Sequence, residues 1–173
     1  MGESHETLRD WSVSLTKVGD LQRAHGDITG ARQRYEEGLA LSLRLVDLTG
    51  ESPEALRDWS VSLNKLGDVQ LALGDFVGAR QQYEKSLALR QRLVGLTGEA
   101  PEALRDLAIS LQRLGDLSHG EHSPAEARDF FERSLAAAEA ALRQSPLSRD
   151  IQAVVDYARA KLAALPPAAS PNP

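Results

Sequence analysis

The side chains best able to hold a metal ion in this 173-residue chain are His119, Glu121 and His122. Two imidazoles three residues apart with a carboxylate between them are donors that zinc accepts. Their spacing matches no defined metal motif, and a solvated turn carries such residues just as readily. His5 and His25 stand alone. Serine is frequent, yet no Gly-x-Ser-x-Gly elbow presents one as a nucleophile, and no glycine-rich phosphate loop occurs. The chain has no cysteine, which removes a thiolate zinc site, a thiol nucleophile and a disulfide framework. That absence fits a reducing compartment, and a cytoplasmic location is expected. What remains is a charge pattern: Lys17 with Asp20, Lys65 with Asp68, Arg113 with Asp116. Charges that recur at a fixed interval suit a surface better than a single catalytic centre. No enzymatic activity, metal or cofactor is therefore expected, and a metal enzyme built on the His119 region is the least favoured reading.

The formal charge of -5 argues against a phosphate-backbone partner, which requires a basic face. No apolar run approaches the ~18 residues of a membrane span, and the N-terminus lacks a basic-then-apolar signal pattern. Neither nucleic acid nor membrane is expected as a partner.

The recurring charges follow from a recurring sequence. Leu8-Arg9-Asp10-Trp11-Ser12-Val13-Ser14-Leu15 returns 48 residues later as Leu56 to Leu63, and again as Leu104-Arg105-Asp106-Leu107-Ala108-Ile109-Ser110-Leu111. Between 8–55 and 56–103 about 34 of 48 positions are identical, and between 56–103 and 104–151 about 14. A fixed period over three copies signals a helical array.

Each unit divides into two helices. In the first, about Leu8 to His25, Leu8, Trp11, Leu15, Val18 and Gln22 make a stripe at helical spacing, so Trp11 and Trp59 are expected in the core. Gly26-Asp27 and Gly74-Asp75 then supply a left-handed helix end and a cap for the next helix. The second helix runs from about Ile28 to Leu48 and closes at Gly50-Glu51-Ser52-Pro53, where Ser52 suits an N-cap and Pro53 the first turn. In the third unit, Ser123 with Glu126 reads as a capping box, and the second helix spans about 124–144. A last helix, about 149–165, carries Ile151, Val154, Val155, Ala158, Leu162 and Leu165 on one face, as a terminal cap should. The expected organisation is a lead-in at 1–7, repeats at 8–55, 56–103 and 104–147, a capping helix at 148–165, and a disordered Pro-rich tail at 166–173. The fold class is all-α, a solenoid of three helical hairpins plus a cap.

These units resemble tetratricopeptide repeats across about residues 8–165. Leu15-Thr16-Lys17-Val18-Gly19, with Leu63 to Gly67 and Leu111 to Gly115, resembles the family's first-helix signature. Ala31, Ala79 and Ala127 match its small second-helix residue, and Tyr35, Tyr83 and Phe131 match the aromatic that follows. Gly38, Ser86 and Ser134 match a later small position. Leu15, Leu63 and Leu111 depart from the usual Trp, and Gln22, Gln70 and Ser118 from the usual Tyr. The closing proline is missing near Leu43, Gln91 and Glu139. The period of 48 exceeds the family's 34, which adds about two turns per helix. This long-helix variant is also similar to arrays at the sensing end of large bacterial signalling ATPases.

The resemblance implies a concave groove lined by first helices that binds a peptide or a helix. At 100° per residue the face opposite the apolar stripe carries Val13, Thr16, Lys17 and Asp20 in unit one. The same face carries Val61, Asn64, Lys65 and Asp68 in unit two, and Ile109, Gln112, Arg113 and Asp116 in unit three. Each set holds an aliphatic, a hydroxyl or amide, a base and an acid. It serves either as a partner-binding groove or as solvated and inter-repeat ion pairs. The related clamp for acidic C-terminal peptides is not expected, because Asp20, Asp68 and Asp116 stand where Asn would help, and Thr16 and Ile109 replace bases. The expected role is a protein-interaction scaffold, part of a bacterial signalling or regulatory protein. The alternative is a homo-oligomerising module. Only seven residues precede Leu8, too few for a covering helix, so the first unit is expected either to belong to a longer array or to self-associate through its N-terminal edge.

Overall fold

The computed structural model describes residues 4–167, and each expected break ends a helix in it. Among the described residues seven α-helices follow in order: α1 (His5–Ala24), α2 (Ile28–Thr49), α3 (Pro53–Ala72), α4 (Phe76–Thr97), α5 (Pro101–Gly120), α6 (Pro124–Gln144) and α7 (Arg149–Ala164). No strand occurs among the described residues. The fold is all-α.

Local chemistry sets the boundaries. Ser4 Oγ accepts the Thr7 amide at 3.2 Å, so α1 begins three residues before the expected Leu8. Ser52 caps α3 in the same way, with Pro53 in its first turn. Asp27 accepts the Gly30 amide at 2.8 Å, and Asp75 accepts the Gly78 amide at 2.8 Å.

The expected capping box at Ser123 does not form, since Ser123 makes no side-chain cap bond. Its backbone stands at ψ 70, against 153 and 154 for Ser4 and Ser52, which do cap. Asp27, at ψ 74, still reaches its amide because its carboxylate is one atom longer. The preceding residue explains the change. Gly26 and Gly74 adopt φ +82 and +80, and His122, 48 residues beyond Gly74, adopts φ +60. A Cβ in that left-handed region costs about 1–2 kcal/mol. Replacing His122 with glycine is expected to raise stability by about 1 kcal/mol, measured as a higher thermal midpoint.

The chain divides into two units, Met1–Leu96 and Thr97–Pro173. In the first, α1 and α2 pack antiparallel: Gly19 faces the Tyr35 ring, while Ser12 Oγ lies 3.2 Å from Ser42 Oγ. Leu8, Leu15 and Leu41 fill the space between them. On its other side α2 meets α3 through Ala31, Tyr35 and Val69, and through Ser42 and Ser62, whose hydroxyls are 3.0 Å apart. α3 and α4 repeat the first hairpin, with Gly67 against Tyr83 and the Ser86 hydroxyl donating to the Ser60 carbonyl at 3.0 Å.

In the second unit Gly115 faces Phe131, and the Ser134 hydroxyl donates to the Ala108 carbonyl at 3.0 Å. α7 packs with Val154 and Val155 on Ala108 and Ala138, and Leu165 packs on Ala127 and Phe131. Pro166, at the start of the expected tail, accepts a hydrogen bond from Arg128, and residues 168–173 lie outside the described residues.

The expectation that the tryptophans lie in the core holds in part for one of them. Trp59 is half-buried on Leu56, Leu63 and Leu89, beside Leu39 of α2. Trp11, its counterpart one period earlier, is 52% exposed. A helix stripe is buried only where another helix covers it, and none covers this side of α1 among the described residues.

Candidate functional site

The charged positions form a ladder with a register of its own. Asp20 pairs not with Lys17, on its own helix, but with Lys65 of α3, Nζ to Oδ1 at 2.6 Å. Tyr35 donates its hydroxyl to the same Asp20 oxygen at 2.7 Å, and Tyr83 donates likewise to Asp68 at 2.8 Å. In the third repeat the aromatic is Phe131, which has no hydroxyl to give. There Tyr157 of α7 bonds Asp116, and Lys161 pairs with the same carboxylate at 2.7 Å. Lys161 and Tyr157 were not singled out from the sequence. The signal for Lys161 was present, since Lys17, Lys65, Arg113 and Lys161 are spaced by 48. By that register α7 is a fourth first helix.

Burial works against ionisation of Asp20, but hydrogen bonds from Lys65 and Tyr35 and the charges of Lys65 and Arg23 outweigh it. Its carboxyl is held below the ordinary 3.8. Burial and the Asp20 carboxylate push the Tyr35 hydroxyl well up. At Tyr157, burial and then Asp116 do the same. The Asp116 hydrogen bond raises Lys161 in spite of its burial. A carboxyl with a depressed folded value stabilises the fold above its unfolded value and loses that contribution as pH falls through the folded one. Acid unfolding should therefore include a component below pH 3.8. Asp20→Asn is expected to flatten that component, read from thermal midpoints across an acid series.

The expected groove residues divide into two groups. In the first unit Val13, Thr16 and Lys17 of α1 face Val61 of α3 across a pocket of about 220 Å³. Ser12, Asp58 and Ser62 complete its lining and were not anticipated. Asp58 is held by Arg9 at 2.8 Å. Val13 is 41% exposed and Val61 half-buried, so a hydrophobic rim is open to a ligand. Asp20 and Lys65 are occupied with each other, Asp68 with Tyr83, and Asn64 is buried.

In the second unit the set does not form an open face. Ile109 packs on the cluster that holds Val154 and Val155, and buried Gln112 donates to the Val154 carbonyl at 2.8 Å. Arg113 is half-buried, and Asp116 is taken by α7. The capping helix occupies the face that the sequence left free.

His119, Glu121 and His122 are all exposed at the end of α5. Among the described residues no three His, Asp or Glu side chains come together in a group able to hold a metal ion. No helix of the described residues is long and apolar enough to cross a membrane.

A family model described as tetratricopeptide repeat matches residues 60–140. No curated protein matches the sequence. Among solved structures, BtubC (BKLC) from P. vanneervenii is similar at 18% identity with a TM-score of 0.59, over 99% of this chain and 71% of that one. The C-terminal TPR-containing domain of an FK506-binding protein of Plasmodium falciparum aligns at 16% identity and TM-score 0.44, over 93% of this chain and 94% of that one. The Sgt2 TPR domain from Aspergillus fumigatus aligns at 14% identity and TM-score 0.43, over 93% and 88%.

Proposed function

From the premise that this chain carries tetratricopeptide repeats, we propose that it is a non-catalytic protein-interaction scaffold whose first unit binds a peptide or helix of a partner. The pocket between α1 and α3 carries the reading. It offers two valines for an apolar side chain, the half-buried Thr16 hydroxyl as a hydrogen-bond acceptor, and the exposed Lys17 in its lining. Lys17 has no ion-pair partner among the described residues, so it can take a carboxylate of the ligand. Burial of one side chain in a small pocket beside oriented polar groups is the usual basis of peptide specificity. The recurrence of Asp20, Asp68 and Asp116 as internal acceptors supports binding over catalysis at the repeated positions, because these three carboxylates are committed to the fold. A cytoplasmic setting in a bacterial signalling or regulatory protein is part of the proposal, and it rests on the 48-residue period alone.

A phage-displayed random peptide library tests the proposal. The wild-type chain should enrich peptides sharing an apolar residue next to an acidic one. Val61→Asp places a charge in the pocket and should weaken those peptides at least tenfold, with unchanged helical circular dichroism. Peptides held equally by both proteins, or no enrichment, would refute it.

A further inference from the structure

The outer face of α1 is the same surface that α3 presents to its neighbours, and on α1 nothing described covers it. Trp11, Val18 and Leu21 are 52%, 45% and 63% exposed. Their counterparts one period on are half-buried Trp59 and buried Leu66 and Val69. Ser14 is exposed between them, whereas its counterpart Ser62 bonds Ser42 of α2.

The charges repeat this difference. Asp58 is held by Arg9, and Lys65 by Asp20. Their counterparts on α1 are Asp10 and Lys17, whose charged groups have no partner among the described residues. One helix face therefore carries three uncovered apolar side chains, a small residue among them, an unpaired acid and an unpaired base.

The order of these groups decides what fits. At 100° per residue, Trp11, Ser14, Val18 and Leu21 lie within about 80° of one another, and Asp10 and Lys17 lie together on one flank. The arrangement is self-complementary about Ser14. With two α1 helices antiparallel on a twofold axis through Ser14, Trp11 of each copy meets Val18 of the other. Asp10 of each copy comes beside Lys17 of the other, and the small Ser14 side chains let the helices approach. A twofold interface uses every such contact twice.

We propose that this face of α1 is a homodimer interface, an antiparallel α1 pair closed by Trp11 and Val18 and by two Asp10 to Lys17 ion pairs. The occupant is a second copy of this chain, because one surface supplies both the acid and the base at positions that a twofold exchanges. The interface lies beside the Val13 pocket, shares only Lys17 with it, and does not depend on the peptide-binding reading.

Sedimentation velocity over a micromolar concentration series tests it on the full chain. The wild type is expected to dimerise. Asp10→Lys leaves two bases on the flank and Lys17→Asp leaves two acids, so each variant alone should dimerise at least tenfold more weakly. Both sites are exposed, and circular dichroism should show both variants folded. Mixing the two should restore a dimer, because Lys at 10 then faces Asp at 17, and Lys17 faces Asp10. A wild type that stays monomeric overturns the proposal, leaving the face to another protein or a preceding segment. Single variants that dimerise like the wild type, or a mixture that stays monomeric, overturn it equally.

Discussion

Replacing Phe131 with alanine is expected to lower the stability of the second unit by about 3–5 kcal/mol, the usual cost of removing a fully buried aromatic ring. Phe131 has no exposed surface. Its ring lies against Gly115, where an added Cβ would come within 2.7 Å of Cε1, and it packs with Ala127 and Leu165, with Leu162 alongside. The value belongs at the upper end because the site cannot collapse. Glycine has no side chain and alanine only a methyl to move inward, and the Ser134 to Ala108 hydrogen bond fixes α6 against α5. The ring also connects two contacts, α5 to α6 and α6 to α7, so its loss should loosen the capping helix. Chemical denaturation read by circular dichroism measures the first effect. Faster amide exchange in α7 than in the wild type would report the second. A loss below about 1 kcal/mol would show that the ring is not the centre of this packing.

Gly67→Val is expected to cost about 3 kcal/mol in the first unit. A Cβ at Gly67 would lie 2.5 Å from Tyr83 Cε1 and 2.8 Å from Cδ1, distances that real atoms do not hold. The ring cannot swing aside cheaply. Tyr83 is 2% exposed, and its hydroxyl is tied to Asp68 at 2.8 Å. Overpacking of this kind usually costs 1–3 kcal/mol, and a β-branched side chain recovers little in helix propensity. The double variant Gly67→Val with Tyr83→Leu should lose less than the sum of the two single losses, because each change removes the obstacle to the other. Additive losses in denaturant titrations would contradict direct contact as the cause.

Both predictions rest on pairs visible in the sequence as a glycine of the first helix and an aromatic of the second. The helix limits and the caps at Asp27 and Ser52 were legible because each depends on residues close in the chain, whereas the contact of glycine with ring joins two helices and is given only by the structure. The cap at Ser123 was misread because its geometry depends on the left-handed backbone of His122, and a capping box pattern does not reveal φ.

The proposed binding surface was less legible. Val13, Thr16 and Lys17 share a face by helical angle, the resemblance sets Val61 beside them, and the four line one pocket. The same angles assigned Ile109 and Gln112 to an open face that α7 covers. Angle around a helix says which residues share a side. It does not say whether another helix arrives there.

By itself the sequence determined the all-α class, the 48-residue hairpin and the small residues that let its helices approach, since these arise from local propensity and periodicity. Only the tertiary structure decided that Asp20 pairs with Lys65 rather than Lys17, and that Trp59 is covered while Trp11 is not. The two tryptophans stand in identical octapeptides, Leu8 to Leu15 and Leu56 to Leu63, so no local rule can separate them. Burial and ion pairing belong to the neighbour across the gap, and α3 has α2 as that neighbour where α1 has none among the described residues.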